Sequence, residues 1–314
     1  MSQLPFFSVI TPTFNRRSFL KEMIESVQSQ TFSDFEHIIV DDGSTDQSGE
    51  LISSIAETDP RIILVKQSNE GRSIARNNGV LTSKGKYICF LDSDDVWLPH
   101  HLQNLSNAIQ SSQADAMFHT GLIWFYDDGT PDQKVGYTPR HAFSSDVEYV
   151  IANQFAPDCV CLSRQVAEKH MFDPSLFINE DVELWARIAS EYPIVDVQEH
   201  TAKLRVHSGN TDKEVNDNVT PKEQAFSKIL SNENVRRHLS EKFIRSKKRS
   251  LHELRIRHLE RAADRWGLIG SILSFVLKYP STPRNSAKLV TLLYNLPGGS
   301  LLKHVIQGQK RPNG

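Results

Sequence analysis

Only three cysteines occur in the 314-residue chain, Cys89, Cys159 and Cys161. So small and odd a number excludes a disulfide framework and makes a reducing compartment the default. Cys159 and Cys161 form a C-x-C pair, but no second thiol pair exists to complete a zinc site, so buried strand cysteines are expected. Long apolar runs are also missing. The longest uncharged apolar stretch, Trp266–Leu277, covers twelve residues, whereas a membrane-spanning helix needs about 20. The opening segment MSQLPFFSVITPTFNRR has no basic stretch leading into a long apolar one, so no secretory signal is expected. A G-x-G-x-x-G sequence occurs nowhere, which leaves a dinucleotide oxidoreductase without support. There is no internal repeat and no low-complexity tract. With 39% hydrophobic and 24% charged residues, disordered, collagen-like and fibrous classes are excluded.

What is present is uneven. The formal net charge is −2, but residues from 221 onward carry 19 Lys or Arg against 6 Asp or Glu, and the residues before them 17 against 32. The two parts therefore have opposite electrostatic tasks. The first hundred residues alternate between strand and helix patterns. Phe7–Thr11, Glu36–Val40, Ile62–Val65 and Tyr87–Leu91 are short apolar runs. Between them, Leu20, Met23, Ile24 and Val27 repeat at helical spacing, Leu51, Ile52 and Ile55 mark a helix closed by Pro60, and Ser73–Leu81 marks a third. This alternation predicts right-handed crossovers and a mostly parallel sheet with helices on both faces. Beyond residue 100 the pattern predicts a helix over His100–Ser111, a strand over Ala116–Tyr126, a turn over Asp127–Pro131, a helix over Val182–Ala189 and a strand over Ala202–Val206. Ser208–Asn218 reads as a loop or linker, and the chain after Pro221 as basic helices broken near Pro280, Pro283 and Pro297.

Ligands of such sheets sit outside the carboxyl ends of the strands, and there the polar groups collect. Strand one ends in Thr11-Pro12-Thr13-Phe14-Asn15-Arg16, strand two in Asp41-Asp42-Gly43-Ser44, strand four in Asp92-Ser93-Asp94-Asp95. Two carboxylates one residue apart after a buried strand offer hard oxygen ligands to Mg²⁺ or Mn²⁺; alone, D-x-D is equally an acidic turn. Asp41-Asp42 reads as a turn cap or as an acceptor for a base or ribose. Phe14 offers a ring for stacking, and Arg16 a partner for phosphate or for the acidic cluster. Asn69-Glu70-Gly71-Arg72-Ser73 opens a helix carrying Arg76 and Asn77, an anion site or an ordinary capped helix.

In combination these strings are far more specific. P-T-F-N-R, V-D-D-G-S-T-D, N-E-G-R-S-x-A-R-N-x-G and F-L-D-S-D-D follow one another on successive strand ends. The chain thereby resembles the family-2 glycosyltransferases, which have the GT-A nucleotide-sugar-binding fold. The likeness is strong over roughly residues 7–100 and returns at Asn179-Glu180-Asp181-Val182-Glu183-Leu184-Trp185 and at Arg205-Val206-His207-Ser208-Gly209-Asn210. It implies a GT-A catalytic domain over residues 1–215, with a nucleotide-binding half to about 100 and an acceptor half beyond it, followed by a basic helical region over 216–314. It implies that Pro12, Thr13, Phe14 and Arg16 line the nucleotide pocket, with Gly71, Arg72, Arg76, Asn77 and Ser93 also on the donor side. Asp42, with Asp41 beside it, reads the base. Asp92 meets ribose or metal, Asp94 holds Mn²⁺ or Mg²⁺ with His207 as a further ligand, and Asp181 is the catalytic base. Phe14 stands where many members have Tyr, which keeps the stacking and loses a hydroxyl. Glu180 and Trp185 fall on the acceptor side, where Trp185 reads as a sugar platform or as a core residue.

Transfer from a nucleoside diphosphate sugar needs a cation for the leaving diphosphate and a base for the acceptor hydroxyl, and a single base opposite the leaving group gives inversion. The reading is thus a metal-dependent inverting glycosyltransferase, with UDP the favoured nucleotide and a glycan or lipid-linked acceptor in cell-surface polysaccharide synthesis. Sugar-1-phosphate nucleotidyl transfer would want a Gly-rich basic loop where P-T-F-N-R stands. A binding protein without turnover is countered by Asp92, Asp94, Asp181 and His207 occurring together. The basic residues 221–314 read as solvated helices or as an attachment to an anionic membrane surface. No nucleic-acid motif accompanies the charge. The place of work expected is cytoplasmic, with peripheral attachment at the inner face of the membrane.

Overall fold

The computed structural model describes residues 4–112, 115–207, 218–262 and 264–279. Its first hundred residues build the expected alternation: β1 (Phe7–Thr13), α1 (Arg17–Gln28), β2 (Phe35–Asp41), α2 (Ser48–Ala56), β3 (Ile62–Lys66), α3 (Arg72–Thr82) and β4 (Tyr87–Phe90). Leu20, Met23, Ile24 and Val27 are the buried residues of α1, because spacing of three and four residues aligns them on one face. They pack with Phe7, Val9, Phe35 and Ile39 in the main core. On α3, Gly79 lies so near β1 that a Cβ there would stand 2.4 Å from Ile10 Cγ2. Only glycine permits that approach.

Then follow β5 (Val96–Trp97), α4 (His101–Ser111), β6 (Met117–Phe125), β7 (Gln133–Lys134), α5 (Asp146–Asn153), β8 (Val160–Ser163), α6 (Arg164–Lys169), α7 (Glu180–Ala189) and β9 (Ile194–Arg205). The sheet runs β3-β2-β1-β4-β8-β6-β9-β5, with β7 beside β6. β1 to β4 pair in parallel. Beyond them the sheet is mixed: β8 is antiparallel to β4 and β6, whereas β6 and β9 are parallel. The four strand ends singled out in the sequence thus share one edge. The late strand predicted over 202–206 is the end of a longer one, whose alternating half-exposed residues hide it from an apolar-run criterion. Sequence reading missed α5, although Ser145 caps it by accepting from the Glu148 amide, a capping-box spacing. The three cysteines are buried and free.

The chain divides into two units, after Leu239 and not near residue 215. The helices α8 (Val219–Ser231) and α9 (Glu233–Arg236) belong with the first unit. Val219, Ala225, Phe226 and Ile229 bury the apolar face of α8, Ser145 Oγ donates to the His238 carbonyl at 2.6 Å, and Lys228 Nζ meets Ser175 Oγ at 3.0 Å. The second unit contains α10 (Glu241–Arg261) and α11 (Arg265–Lys278), whose shared core is Ile256, Leu268, Ile272 and Phe275. The breaks predicted at Pro280, Pro283 and Pro297, and most of the 208–218 linker, lie outside the described residues.

A chain ending after Leu239 should therefore stay within a few degrees of the full chain in the melting of its catalytic unit. One ending at residue 217 should lose about 3 kcal/mol or more, since four buried apolar side chains vanish from α8. Calorimetric melting of both truncations checks this, and equal stability would put the boundary back near 215.

Candidate active site

Two loops at the β1 and β2 ends are stitched together. Asn15 adopts a left-handed φ of 53°. Its Oδ1 accepts from the Thr45 amide at 2.8 Å, and its own amide donates to Ser44 Oγ at 2.9 Å. This turn leaves Phe14 42% exposed at the strand end, an accessible aromatic face. Pro12 and Thr13, by contrast, are buried within β1.

Asp41 and Asp42 are both buried. Asp41 Oδ1 accepts from the Ser44 amide at 2.9 Å. Asp42 receives Gln67 Nε2 and the Glu70 amide on Oδ1 and the Gly71 amide on Oδ2, each at 2.8 Å. A carboxylate accepts about four hydrogen bonds, so Asp42 has one direction left for a ligand while it braces the loop before α3. Gly71 supplies the φ of +92° at that bend.

The acidic strand end is built in two tiers. In the upper tier, Asp94 Oδ2 lies 3.0 Å from His207 Nε2 and 3.8 Å from Arg16 Nε. These groups come from the ends of β4, β9 and the start of α1. In the lower tier, carboxylate oxygens of Asp92, Asp95 and Asp158 lie within 4.8 Å of one another. Asp158 Oδ1 accepts from the Asp92 amide at 2.7 Å, and Asp95 Oδ1 from the Arg205 amide at 2.7 Å. Arg205 Nε donates to the Asp94 carbonyl at 2.9 Å. Burial, then the charge of Asp92, pushes Asp158 up to about 8. Asp95 is also raised well above the usual carboxylate range, first by burial and then by Asp158. Asp158 Oδ2 is buried without a hydrogen-bond partner among the described residues. Sequence reasoning missed Asp158, although an acid inside the apolar run Phe155–Leu162 is itself a signal that a buried charge has work to do. Ser93, between Asp92 and Asp94 in the sequence, is buried.

The expectation for Arg76 is corrected. Its guanidinium is 1% exposed, with Nη2 2.7 Å from Asp92 Oδ1 and Nη1 3.0 Å from Glu180 Oε1. It joins the acidic strand end to the start of α7 and presents nothing to a nucleotide. Arg72 Nε meets the same Glu180 oxygen at 3.0 Å, and its guanidinium lies over the exposed ring of Phe177. Asn77 is corrected as well: its amide both donates to and accepts from the Phe172 backbone, at 2.9 Å each way. Glu180, expected on the acceptor side, is buried in its two ion pairs. Trp185 is a core tryptophan, fully buried, with Nε1 donating to the Phe155 carbonyl at 2.9 Å and its ring against Phe90 and Phe172. Helical periodicity turns it inward, away from any sugar.

Asp181 differs from these. It is partly buried beside Glu180 at the N-terminus of α7, Oδ1 accepting from the Val182 amide at 2.7 Å. Burial, then the Glu180 charge, raises it to about 7, against the opposing pull of Arg76 and Arg72. Such a group can exchange a proton near neutrality.

Removing the Arg76 cation would take its ion pair from Asp92 and leave Glu180 with Arg72. Arg76→Gln should cost about 3–5 kcal/mol, and Arg76→Lys should recover only part, because one ammonium cannot hold the Asp92–Glu180 fork. Urea unfolding of Arg76→Gln, Glu180→Gln and the double variant checks this; additive costs would show that the two do not act as a pair.

The family model for glycosyl transferase family 2 matches residues 8–170. An uncharacterized glycosyltransferase of Nostoc sp. is 34% identical over 212 residues, 65% of each chain. A putative teichuronic acid biosynthesis glycosyltransferase of Bacillus subtilis is 35% identical over 137 residues, 43% of this chain and 54% of that one. The aligned stretch thus spans at most about two thirds of these relatives' own length. Among solved structures, S. aureus TarS 1–349 in complex with UDP superposes with a TM-score of 0.56 at 19% identity, over 98% of this chain and 94% of that one. A mannosyltransferase from Pyrobaculum calidifontis in complex with GDP-Man and Mn²⁺ does so with a TM-score of 0.59 at 17% identity, over 96% and 84%. The expected GT-A fold is therefore the observed one, and, with a matching model over more than half its length, the chain belongs to glycosyl transferase family 2.

Proposed function

We propose that the chain is an inverting glycosyltransferase that moves a sugar from a UDP-sugar to a hydroxyl of a glycan or lipid-linked acceptor in cell-surface polysaccharide synthesis. The observation that carries this reading is the meeting of Asp94 Oδ2 and His207 Nε2 at 3.0 Å from positions 113 residues apart. A carboxylate and an imidazole at that separation are spaced as two ligands of one cation. Carboxylate oxygens suit Mg²⁺ or Mn²⁺, and the added imidazole favours the transition ion. Asp94 and His207 would hold it, with Asp92 on the same strand end. When bound, the ion supplies Lewis-acid stabilisation of the leaving diphosphate. The TarS structures in complex with UDP and UDP-GlcNAc, and the mannosyltransferase with GDP-Man and Mn²⁺, support a donor site of this kind.

The chain's own residues do the rest. Phe14 stacks on the base, and Asp42 uses its remaining acceptor direction for a base N–H. Arg16, beside Asp94, offsets charge on the phosphate side. Asp181 takes the proton of the acceptor hydroxyl as that oxygen bonds to the anomeric carbon. The bond from that carbon to the diphosphate breaks on the opposite face, which inverts the centre. Buried Arg76 fixes Asp92 and, through Glu180, the start of α7, so that base and donor site keep their spacing. The basic residues 221–314 bring the catalytic unit to an anionic membrane surface on its cytoplasmic side. Among the described residues no helix is long and apolar enough to cross a membrane, which suits peripheral attachment.

The donor site is tested by titrating UDP and GDP calorimetrically with and without Mn²⁺. UDP should bind in the micromolar range only with the ion, and Asp94→Ala or His207→Ala should weaken that binding roughly tenfold or more, about 1.4 kcal/mol. A folded wild type that binds neither nucleotide would remove the reading.

The base is tested separately. Asp181→Asn should lower UDP release during turnover by about 10²–10⁴-fold, with UDP affinity within roughly twofold of wild type. Asp181 must be deprotonated to act, and burial lifts it to about 7. The donor-saturated rate of the wild type should therefore rise with pH through a midpoint near that value. A flat profile between pH 6 and 8, or a variant at full rate, would take the base role from Asp181.

A further inference from the structure

We propose that the uncovered face of α11 is a docking surface for an anionic lipid bilayer, lying in the plane of the membrane interface. The inference deepens the membrane part of the reading above and is independent of the transfer chemistry. Helix α11 has fourteen residues, about 21 Å at 1.5 Å per residue, so it cannot span a hydrocarbon core of about 30 Å. One of its faces is covered: Leu268, Ile272 and Phe275 pack with Ile256 of α10. The other is apolar too. Trp266, Leu273 and Leu277 are 76%, 43% and 82% exposed, and with exposed Gly270 they stand at i, i+4, i+7 and i+11, one continuous stripe. A helix apolar all round belongs in a core or in lipid, and among the described residues only one side of this one has a core.

Charge selects the occupant. The only ionisable residues of α11 are Arg265 and Lys278, at its two ends. Helix α10, to which it packs, carries eight Lys or Arg and three Glu. Two copies meeting on this face would bring like charges together, whereas an anionic bilayer offers both the apolar layer for the stripe and headgroups for the cations. Trp266 at the start of the stripe has the amphipathic ring that settles at a headgroup boundary.

The test is sedimentation of the full chain with vesicles of phosphatidylglycerol and phosphatidylcholine in a roughly 3:7 ratio, and with phosphatidylcholine alone. Wild type should pellet with the anionic vesicles, less so as salt rises, and should stay in solution with the neutral ones. Trp266→Ser/Leu277→Ser should lower the partition constant roughly tenfold or more; both positions are exposed, so helical content should not change in far-ultraviolet circular dichroism. Trp266→Phe/Leu277→Ile should pellet as wild type does. The proposal is overturned if the serine variant pellets undiminished, or if wild type does not pellet. It is also overturned if lipid-free wild type is a dimer that the serine variant dissociates, because a second copy then covers the face. Mn²⁺-dependent UDP binding by the serine variant, measured alongside, shows that the donor site stands or falls separately.

Discussion

A single buried guanidinium holds the site together. Arg76 is 1% exposed and spans from Asp92 on the strand-four end to Glu180 on α7, residues 88 positions apart in the chain. Taking Arg76 and Glu180 out of water, with Asp92 partly so, carries a large desolvation cost, which excellent geometry must offset. Both terminal nitrogens of Arg76 are engaged, and its face lies over Phe172. Arg72 gives Glu180 a second cation. Asn77, one residue along α3 from Arg76, clamps the Phe172 backbone from the same helix. The segment 172–180, which leads to the proposed base, is therefore fixed to α3 at both its ends. Gly79 lets α3 lie against β1, so the base segment takes its position from the nucleotide-side sheet.

The acidic strand end shows the opposite arrangement, repulsion made tolerable by burial. Four aspartates, 92, 94, 95 and 158, crowd one edge. Asp95 and Asp158 receive backbone amides from Arg205 and Asp92, and both are pushed toward the protonated form. Pushed toward the neutral form, the lower pair can brace the loop while weakening its pull on the cations beside Asp92 and Asp94. Arg205, whose side chain also reaches Glu22 and Asp127, ties the end of β9 to the Asp94 carbonyl. That tie carries His207, two residues on, to Asp94.

What the sequence made legible follows from how locally each feature is encoded. The strands and helices of the first hundred residues follow period and punctuation, which are properties of short windows. The pairing of Asp94 with His207 was legible only through resemblance, since no local pattern links positions 113 apart. Roles that depend on where a side chain points were misread. Arg76, Glu180 and Trp185 lie in family-like strings, yet each is buried, Trp185 taking the core alternative, and Asn77 is bonded to the Phe172 backbone; a string does not record the rotation of its helix. Asp158 and α5 fell in the stretch where mixed strand directions remove the simple alternation. The boundary at 239 rather than 215 escaped because a polar loop looks like a linker whether or not the next helix packs back. It is the four buried apolar residues of α8 that decide.

The proton affinity of Asp181 shows how these layers meet. A carboxylate at a helix N-terminus should be acidic, because the helix dipole favours its charge by about 0.3–1 kcal/mol. Its Oδ1 also takes the Val182 amide, a second acidifying influence. Burial and Glu180 nevertheless prevail and lift it to about 7. Glu180 is held beside it at the start of α7 by Arg72 and Arg76, whose own charges pull Asp181 the other way. The same guanidinium that fixes Asp92 thus positions Glu180 beside Asp181 while opposing, through its own charge, the rise that burial and Glu180 produce. The spacing between Asp92 and the start of α7 is set by one ion-paired arginine, and the proton affinity of Asp181 chiefly by burial.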